Sequence, residues 1–363
     1  MALYRSLPLP GEKDNMYYVM PGAGGPSQEE ASANARQMVS AINPAYLEFT
    51  KTYRASFRPF ALLITAWAGG FMLLSSLPDL YKVNFGFGKI NWNDDFLAAF
   101  LLNAVSILVP AICAAIFFKQ LRSPQSRIIL SRKLRRFYQW QGKKSGWTWV
   151  DYDKAVPAVY GHMAVTPYGA SSMYMLDVNE IEPATRKILK GIRVSDAANA
   201  VLPQAELWEF IRLYMDAPAH KVPPIEYRIP EGQSHGIHAR IDRDTIPGLL
   251  DDEHRLKPGL FNKLYFGMGA MFGYWADRMI PWIERHTPHP PLPPELEKSM
   301  QWSGENPYRT TPPTEIEQKA IDGKLPYMNL RWRIGMTLST LFYGGSFLFM
   351  VFVGWREVIF GPD

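Results

Sequence analysis

The sequence predicts an α+β membrane protein: an N-terminal transmembrane helical hairpin, a cytoplasmic small antiparallel sheet plus helix, and a C-terminal transmembrane helix. Two apolar runs without charge, 61–77 and 97–118, have the length and composition of bilayer-spanning helices. A segment rich in Lys and Arg and free of Asp and Glu, 119–144, follows them. A third apolar run, 334–355, lies near the C-terminus. Basic residues that flank spans on one side mark that side as cytoplasmic.

Composition narrows the class of protein further. The chain has 363 residues and a mean hydropathy of −0.15, which is low for a transporter with many spans. The formal charge of +5 is concentrated beside the spans, which favours anionic lipid headgroups over nucleic acid as its partner. Cys113 is the single cysteine, so no disulfide framework is predicted. We also predict no cofactor.

Residues 1–58 are predicted to form an N-terminal cytoplasmic tail. They are mostly polar and show no signal peptide, so the first span is also the predicted insertion signal. The glycine-rich segment Gly22–Gly25 is followed by Pro26 and lacks the Lys-Ser/Thr pair of a phosphate-binding loop. We therefore interpret it as part of a flexible tail.

The transmembrane hairpin is predicted at 59–118. Three basic residues between 51 and 58 precede it, and the cationic segment 119–144 follows it, so both ends are predicted to lie in the cytoplasm. Small residues at 69–70 and 114–115 would let the two helices approach closely.

Residues 119–218 are predicted to form a cytoplasmic α+β domain. Short aromatic and β-branched runs separated by Gly, Pro, Asn and Ser indicate a mostly antiparallel sheet. An amphipathic helix follows, which opens at Asp196 or Asn199 or has Pro203 in its first turn, and ends at Pro218. The predicted strands are Trp147–Val150, Val156–Met163, Ser172–Val178 and Arg186–Val194.

A Pro-rich connector is predicted at 219–330, with an amphipathic or membrane-associated helix at 262–283. The uncharged part of that helix is shorter than the ~20 residues that a span requires, and Asp277 and Arg278 interrupt it. We favour an interfacial helix over a fourth span, although the sequence leaves both open. Residues 331–363 complete the chain as the C-terminal transmembrane helix and a short tail.

Motifs for chemistry are weak. His235 and His238, with Asp242 and Asp244 nearby, are residue types that bind metals, yet no rigid helix or Cys ligand supports them. We interpret them as solvated loop histidines, predict no metal site and no catalytic residue, and predict that the chain is not an enzyme. The predicted spans carry no charged residue, which argues against a transporter or a proton channel.

The segment Leu207–Met215, read together with the hairpin, its basic flank, the Trp-rich sheet and the later Pro-rich strip, carries a resemblance. Over roughly 55–330 the chain resembles a family of uncharacterised bacterial inner-membrane proteins, often encoded beside type VI secretion effectors. The resemblance implies an accessory or immunity role, in which the protein sits in the inner membrane and binds a cognate toxin. It implies no catalytic residues.

The predicted function is that of an inner-membrane-anchored binding protein that neutralises a type VI secretion toxin by direct binding. Its predicted partners are the lipid bilayer and a cognate toxin or secretion effector; a homo-oligomer is left open, and no nucleic acid is expected. The alternatives are an assembly accessory of a secretion system and an interfacial membrane enzyme near Asp277, His235 and His238. Aromatic and Arg side chains dominate binding hot spots. On that basis the predicted partner-binding residues are Arg135, Arg136, Trp140, Trp147, Trp149, Trp208 and Arg212.

Overall fold

The protein is a mixed α+β structure whose larger sheets are antiparallel, as the sequence predicts. The computed structural model describes residues 7, 17–26, 31–36, 38–49, 61–74, 76–77, 92–124, 127–166, 169–195, 197–198, 200–226, 250–253 and 255–360. The strands within these residues are β1 (Tyr17–Val19), β2 (Val39–Ile42), β3 (Tyr46–Phe49), β4 (Ile128–Ser131), β5 (Arg136–Trp140), β6 (Trp147–Asp151), β7 (Val156–Thr166), β8 (Gly169–Ile181), β9 (Ile188–Arg193), β10 (Ile225–Glu226) and β11 (Thr310–Thr311).

Among the described residues, two helices follow β3, one follows β9, two follow β10 and three follow β11. A π-helical turn, Leu341–Gly345, joins the last two of them. The helices are α1 (Ala61–Leu74), α2 (Trp92–Arg122), α3 (Leu202–Asp216), α4 (Leu260–His286), α5 (Pro294–Met300), α6 (Glu315–Ile321), α7 (Pro326–Thr340) and α8 (Ser346–Phe360).

The chain divides into two compact units that are each assembled from separated stretches of sequence. The sheet unit comprises 1–54, 124–228 and 288–313. The helical unit comprises 55–123, 229–287 and 314–363. This division differs from the predicted boundaries, because both the predicted tail and part of the predicted Pro-rich connector belong to the sheet unit.

Two antiparallel sheets form the sheet unit. One has the strand order β2-β3-β4-β5-β6, and the other has the order β1-β7-β8-β9. Each predicted strand is present, as β6, β7, β8 and β9, with the two long strands extended to make a hairpin in which Val156 lies opposite Asn179. A short parallel pair, β10 with β11, completes the described pairing.

The predicted N-terminal tail is wrong for its described residues, because they pair with the sheets. Tyr17 lies opposite Tyr160 in β7, and Leu47 lies opposite Leu130 in β4. Leu47 and Phe49 are buried. Each N-terminal strand has only three or four residues, so its alternation of buried and partly exposed side chains is hidden in a mostly polar stretch.

Helix α3 supplies the largest share of the sheet unit's core, as its periodicity predicts. Pro203 lies in its first turn, where a missing N–H costs nothing. Leu207, Trp208, Phe210 and Tyr214 are fully buried. Each side chain of this size contributes roughly 1.5–3 kcal/mol when it leaves water.

In the helical unit, α1 makes close contacts that depend on small residues. A Cβ added at Gly69 would lie 2.8 Å from Cβ of Cys113 in α2, so the two backbones approach as the glycine predicts. A Cβ at Gly70 would lie 3.5 Å from the ring of Phe347 in α8. The indole N–H of Trp67 donates to the carbonyl of Tyr343 at 2.9 Å.

Replacing Gly69 by Ala is expected to destabilise the α1–α2 contact by about 1–3 kcal/mol, because the added methyl meets a Cβ that cannot rotate away. Thermal denaturation of the purified full chain in detergent measures the effect. Gly70→Ala is the matched control, since its methyl meets the Phe347 ring at an ordinary contact distance. Equal losses for both variants would contradict the close approach at Gly69.

Within the described residues, two helical stretches are long and apolar enough to cross a membrane: Ala104–Arg122 and Pro326–Val353. Little of either is buried, 6% and 12% of the respective apolar windows. The described part of the first predicted span, α1, is a shorter apolar helix. The helix predicted at 262–283 is present as α4, which continues through Asp277 and Arg278.

Candidate functional site

Two of the predicted tryptophans, Trp147 and Trp149, line a cleft where the edge strands β6 and β9 of the two sheets approach each other. We call it the tryptophan cleft, and its volume is about 540 Å³. Strands β6 and β9 are edge strands of their described sheets. Because no further described strand pairs with either edge, the two strands can face each other across a shared groove. Its walls include Tyr17, Gln139, Trp147, Trp149, Leu189, Lys190 and Arg193.

Trp149 is the central aromatic residue of the tryptophan cleft. The guanidinium carbon of Arg136 lies 4.2 Å from its ring centroid, and the ammonium of Lys190 lies 4.5 Å from it. Each cation also has an acidic partner: Arg136 pairs with Asp151 at 2.8 Å, and Lys190 pairs with Glu180 at 3.2 Å. The half-buried indole is therefore fixed in orientation by two cation–π contacts.

Trp147 links the tryptophan cleft to the proline-rich segment that precedes α5. Its indole N–H donates to the carbonyl of Pro291 at 2.6 Å. Trp140 packs against it in an edge-to-face contact with ring centroids 5.9 Å apart, but only 8% of Trp140 is exposed. Trp140 thus acts as a support for Trp147 and offers little surface of its own.

A partly exposed ion pair lies at the β8–β9 side of the cleft, with 44% of the Arg193 side chain and 14% of the Asp177 side chain exposed. The Arg193 guanidinium donates two hydrogen bonds to the Asp177 carboxylate, at 2.8 and 3.1 Å. Burial raises the pKa of Asp177, while the bonds from Arg193 oppose that rise. Arg193 also lies over the ring of Tyr160. Leu189, which also lines the cleft, is 47% exposed.

A second cleft, of about 450 Å³, lies beside α3 and contains the predicted residues Arg135 and Arg212. Arg135 occupies the left-handed backbone region, at φ 50°, in the turn between β4 and β5. Its guanidinium donates to both carboxylate oxygens of Asp153 and, at 2.9 Å, to Asp216. These bonds hold the pKa of Asp153 below its usual range. Burial, together with a hydrogen bond to Asp216, raises the pKa of Tyr152.

Arg212 and Trp208 hold the glycine-rich N-terminal segment against α3. Arg212 donates to the carbonyls of Pro26 and Gly25 and pairs with Glu209 at 2.9 Å. The indole of Trp208 donates to the carbonyl of Pro21 at 2.8 Å. The interpretation of this segment as part of a flexible tail is therefore wrong, because side chains of α3 donate hydrogen bonds to its carbonyls.

Trp208 differs from the other predicted partner-binding residues because its side chain is fully buried. Its side chain is 0% exposed and packs 6.0 Å from the ring of Tyr152, so it leaves no surface for a partner. An amphipathic helix buries its aromatic face, and the sequence pattern alone does not distinguish such a residue from an exposed anchor.

Strand β9 supplies cleft residues that the sequence reasoning missed. Leu189, Lys190 and Arg193 were assigned to a strand without a role. The sequence pattern around these residues is an apolar residue among cations on a strand. Because that pattern is common on solvated sheet faces, it does not indicate a binding site. Only the approach of β6 to β9 brings them to the tryptophans.

Metal and acid–base candidates are sparse in the part of the chain that the structure describes. Within it, no group of three or more His, Cys, Asp or Glu side chains is placed to hold a metal ion. His235, His238, Asp242 and Asp244 lie outside the described residues. His286 stacks on Trp282 and contacts its carbonyl at 2.7 Å.

Comparisons with known proteins add no relative. No family model matches the chain, and neither a curated protein nor a solved structure does. The geometry of the clefts and the helices therefore carries the proposals that follow.

Proposed function

We propose that this chain is a membrane-anchored binding protein that contacts a protein partner through its tryptophan cleft. The observation that carries the proposal is that Trp149, half-buried and held by two cations, lines the same cleft as Leu189, which is 47% exposed on strand β9. A rigid aromatic residue beside an apolar one, surrounded by paired charges, is the composition of an interface hot spot and its rim.

Anchoring is proposed to use α1 and α2 as a hairpin and α7–α8 as a separate span. Along α2, large apolar side chains face outward, with Val105 54%, Ile107 62% and Leu108 58% exposed. A core helix of a soluble protein buries such residues, whereas a lipid-facing helix does not. Because β3 pairs with β4, the chain before α1 and the chain after α2 lie on one side of the membrane.

The proposed side is the cytoplasm, and the proposed membrane is the bacterial inner membrane. The segment that returns from α2 to the sheet is basic and lacks acidic residues over 119–144. Such segments stay on the cytoplasmic side. The protein is then multi-pass with its sheet unit in the cytoplasm.

The proposed partner is a type VI secretion toxin, and the proposed role is immunity by direct binding. This choice rests on the resemblance of 55–330, while the cleft supports binding in general. Tethering to the membrane raises the local concentration of the binding unit where a translocated toxin arrives, without any additional contact. In this proposal the chain itself performs no catalysis.

The test is co-expression of the full chain with the effector encoded beside its gene. The wild-type chain is expected to relieve toxicity, and Leu189→Asp is expected to weaken the isolated complex at least tenfold, because it places an unpaired charge in the hot spot. Leu202→Asp is the matched control, since Leu202 is also 47% exposed but lies at the start of α3, away from the cleft residues. It is expected to bind as wild type does.

The outcomes separate the candidate roles. Unrelieved toxicity with no isolable complex would overturn the immunity role. A stable oligomer in detergent that binds no effector and is insensitive to Leu189→Asp would favour the assembly accessory. Equal weakening by Leu189→Asp and Leu202→Asp would remove the tryptophan cleft as the contact surface.

A further inference from the structure

Two short strands, one before α4 in the sequence and one after it, are paired by main-chain hydrogen bonds. Strand β10 pairs in parallel with β11, with Ile225 opposite Thr310 and the amide of Ile225 donating to the carbonyl of Arg309 at 3.1 Å. Helix α4 lies between these strands in sequence. The segment 227–249 is interrupted by charges throughout and contains no run long enough to span a bilayer. A single crossing by α4 would place the two paired strands on opposite sides of the membrane.

The relative direction of α1 and α8 independently argues against a single crossing by α4. Trp67 of α1 donates to the carbonyl of Tyr343, and Trp355 of α8 donates to the carbonyl of Leu74 at 3.0 Å. An earlier residue of α1 thus contacts the π turn and a later residue of α1 contacts α8, which follows that turn in the chain. The two helices therefore run parallel. Since α2 returns the chain to its starting side, parallel α1 and α8 require that α4 crosses an even number of times.

The N-terminal half of α4 nevertheless presents an apolar stripe. Large side chains at positions separated by four residues lie along one face. Their exposed fractions are 74% for Leu260, 73% for Phe261, 58% for Leu264, 36% for Tyr265 and 50% for Met268. A contiguous apolar surface of this size is unfavourable in water and marks a contact with lipid or protein.

Other residues of α4 pack against α7 and the π turn, and these contacts fix its depth. The ring of Tyr274 packs against that of Trp332 at a tilt of 44°, and the hydroxyl of Tyr343 donates to the carbonyl of Phe272 at 3.1 Å. The guanidinium of Arg331 lies 4.9 Å from the ring centroid of Phe266. Arg331 and Trp332 lie in the first half of the 326–353 apolar stretch, next to its basic start, and Tyr343 lies just past its middle. Lipid that covers α2 and α7–α8 at this depth also covers the stripe of α4.

We propose that α4 lies within the cytoplasmic leaflet without crossing the membrane, with Leu260, Phe261, Leu264 and Met268 in contact with acyl chains. The proposal rests on the membrane anchoring proposed above. A helix of 27 residues is roughly 40 Å long, enough to cross the ~30 Å hydrocarbon core, so the placement in one leaflet rests on the strand pairing and the span directions and not on length. The chain then has three spans and a lipid-bound helix connected to its binding unit.

Sidedness is tested with single cysteines in the full chain, on a Cys113→Ser background. Arg255→Cys and His289→Cys lie on the two sides of α4 and are exposed. A membrane-impermeant maleimide is expected to label neither in intact spheroplasts and both in inverted vesicles. A cysteine added after Asp363 is expected to show the opposite pattern. Labelling of Arg255→Cys and His289→Cys from opposite sides would overturn the proposal.

Lipid contact is tested with nitroxides on Leu264→Cys and Lys263→Cys in vesicles of phosphatidylethanolamine and phosphatidylglycerol. The probe at 264 is expected to collide with oxygen and the probe at 263 with a water-soluble nickel chelate. Equal nickel accessibility at both positions would overturn the leaflet placement. Release of the wild-type chain by carbonate would instead overturn the membrane anchoring itself, so the two failures are distinguishable.

Discussion

Replacing Trp208 by Ala is expected to lower the free energy of unfolding of the sheet unit by about 3–5 kcal/mol, the largest stability loss we expect from one core truncation. The side chain is 0% exposed, and its ring packs against Tyr152. Its indole N–H also satisfies the carbonyl of Pro21, so truncation leaves a cavity and removes a buried hydrogen bond together. Guanidinium titration of the full chain in detergent, followed by far-ultraviolet circular dichroism, measures the loss.

Two further variants separate the contributions of packing and hydrogen bonding. Trp208→Phe keeps an aromatic ring but removes the N–H donor, so an intermediate loss is expected, accompanied by faster proteolysis near Pro21. Trp302→Ala is the control, because Trp302 is 39% exposed. A surface truncation of this kind changes stability by within about 0.5 kcal/mol. If Trp302→Ala cost as much as Trp208→Ala, the assignment of Trp208 to the core would be contradicted.

Local patterns predicted the elements that depend on local contacts. Helix α3 follows from the spacing of Leu207, Phe210, Ile211 and Tyr214 and from Pro203 in its first turn. The β7–β8 and β8–β9 hairpins follow from alternating runs separated by turn residues. The close approach at Gly69 follows from small residues within an apolar run. In each case the signal lies within the element itself, even where, as for Trp208 and Pro21, the stabilising partner is distant in sequence.

Pairing across long sequence separations was not predictable in the same way. Tyr17 pairs with Tyr160, and Ile225 pairs with Thr310, through strands of two or three residues on at least one side. Strands this short are below the length at which alternation is distinguishable from chance. Proline residues in 288–313 suggested a connector, whereas its Leu296 is fully buried and its Glu295 accepts a hydrogen bond from Tyr138 at 2.8 Å.

The residues of the candidate site differ in the same way: those within one hairpin were predictable from the sequence, and those from the other sheet were not. Arg136, Trp140, Trp147 and Trp149 come from the single hairpin β5–β6, where Trp140 lies opposite Trp147, so sequence proximity was enough to group them. Leu189 and Lys190 come from the other sheet, and the sequence gives no sign of that approach. Trp208 was misplaced for a different reason, since a helix that packs on a sheet carries the same residues as a helix that binds a partner.

Replacing Leu108 by Arg tests the membrane anchoring with an effect of similar size. Leu108 lies near the centre of the apolar run 97–118 and is 58% exposed. An arginine at the centre of a spanning helix costs about 2.5–3.5 kcal/mol on insertion, which corresponds to about a hundredfold change in the ratio of inserted to non-inserted chain. The carbonate-resistant fraction of the full chain in isolated membranes is therefore expected to fall sharply.

The same substitution gives the opposite result if α2 is surrounded by water. An exposed Leu→Arg change in a soluble protein alters stability by within about 0.5 kcal/mol and removes apolar surface, so recovery of folded chain would stay constant or rise. Leu202→Arg, at a residue 47% exposed in the sheet unit, is the control that is expected to leave insertion unchanged. Because the exposure of Leu108 is fixed by the fold, only the surrounding solvent decides the sign of the result, and an unchanged carbonate-resistant fraction for Leu108→Arg would contradict anchoring through α2.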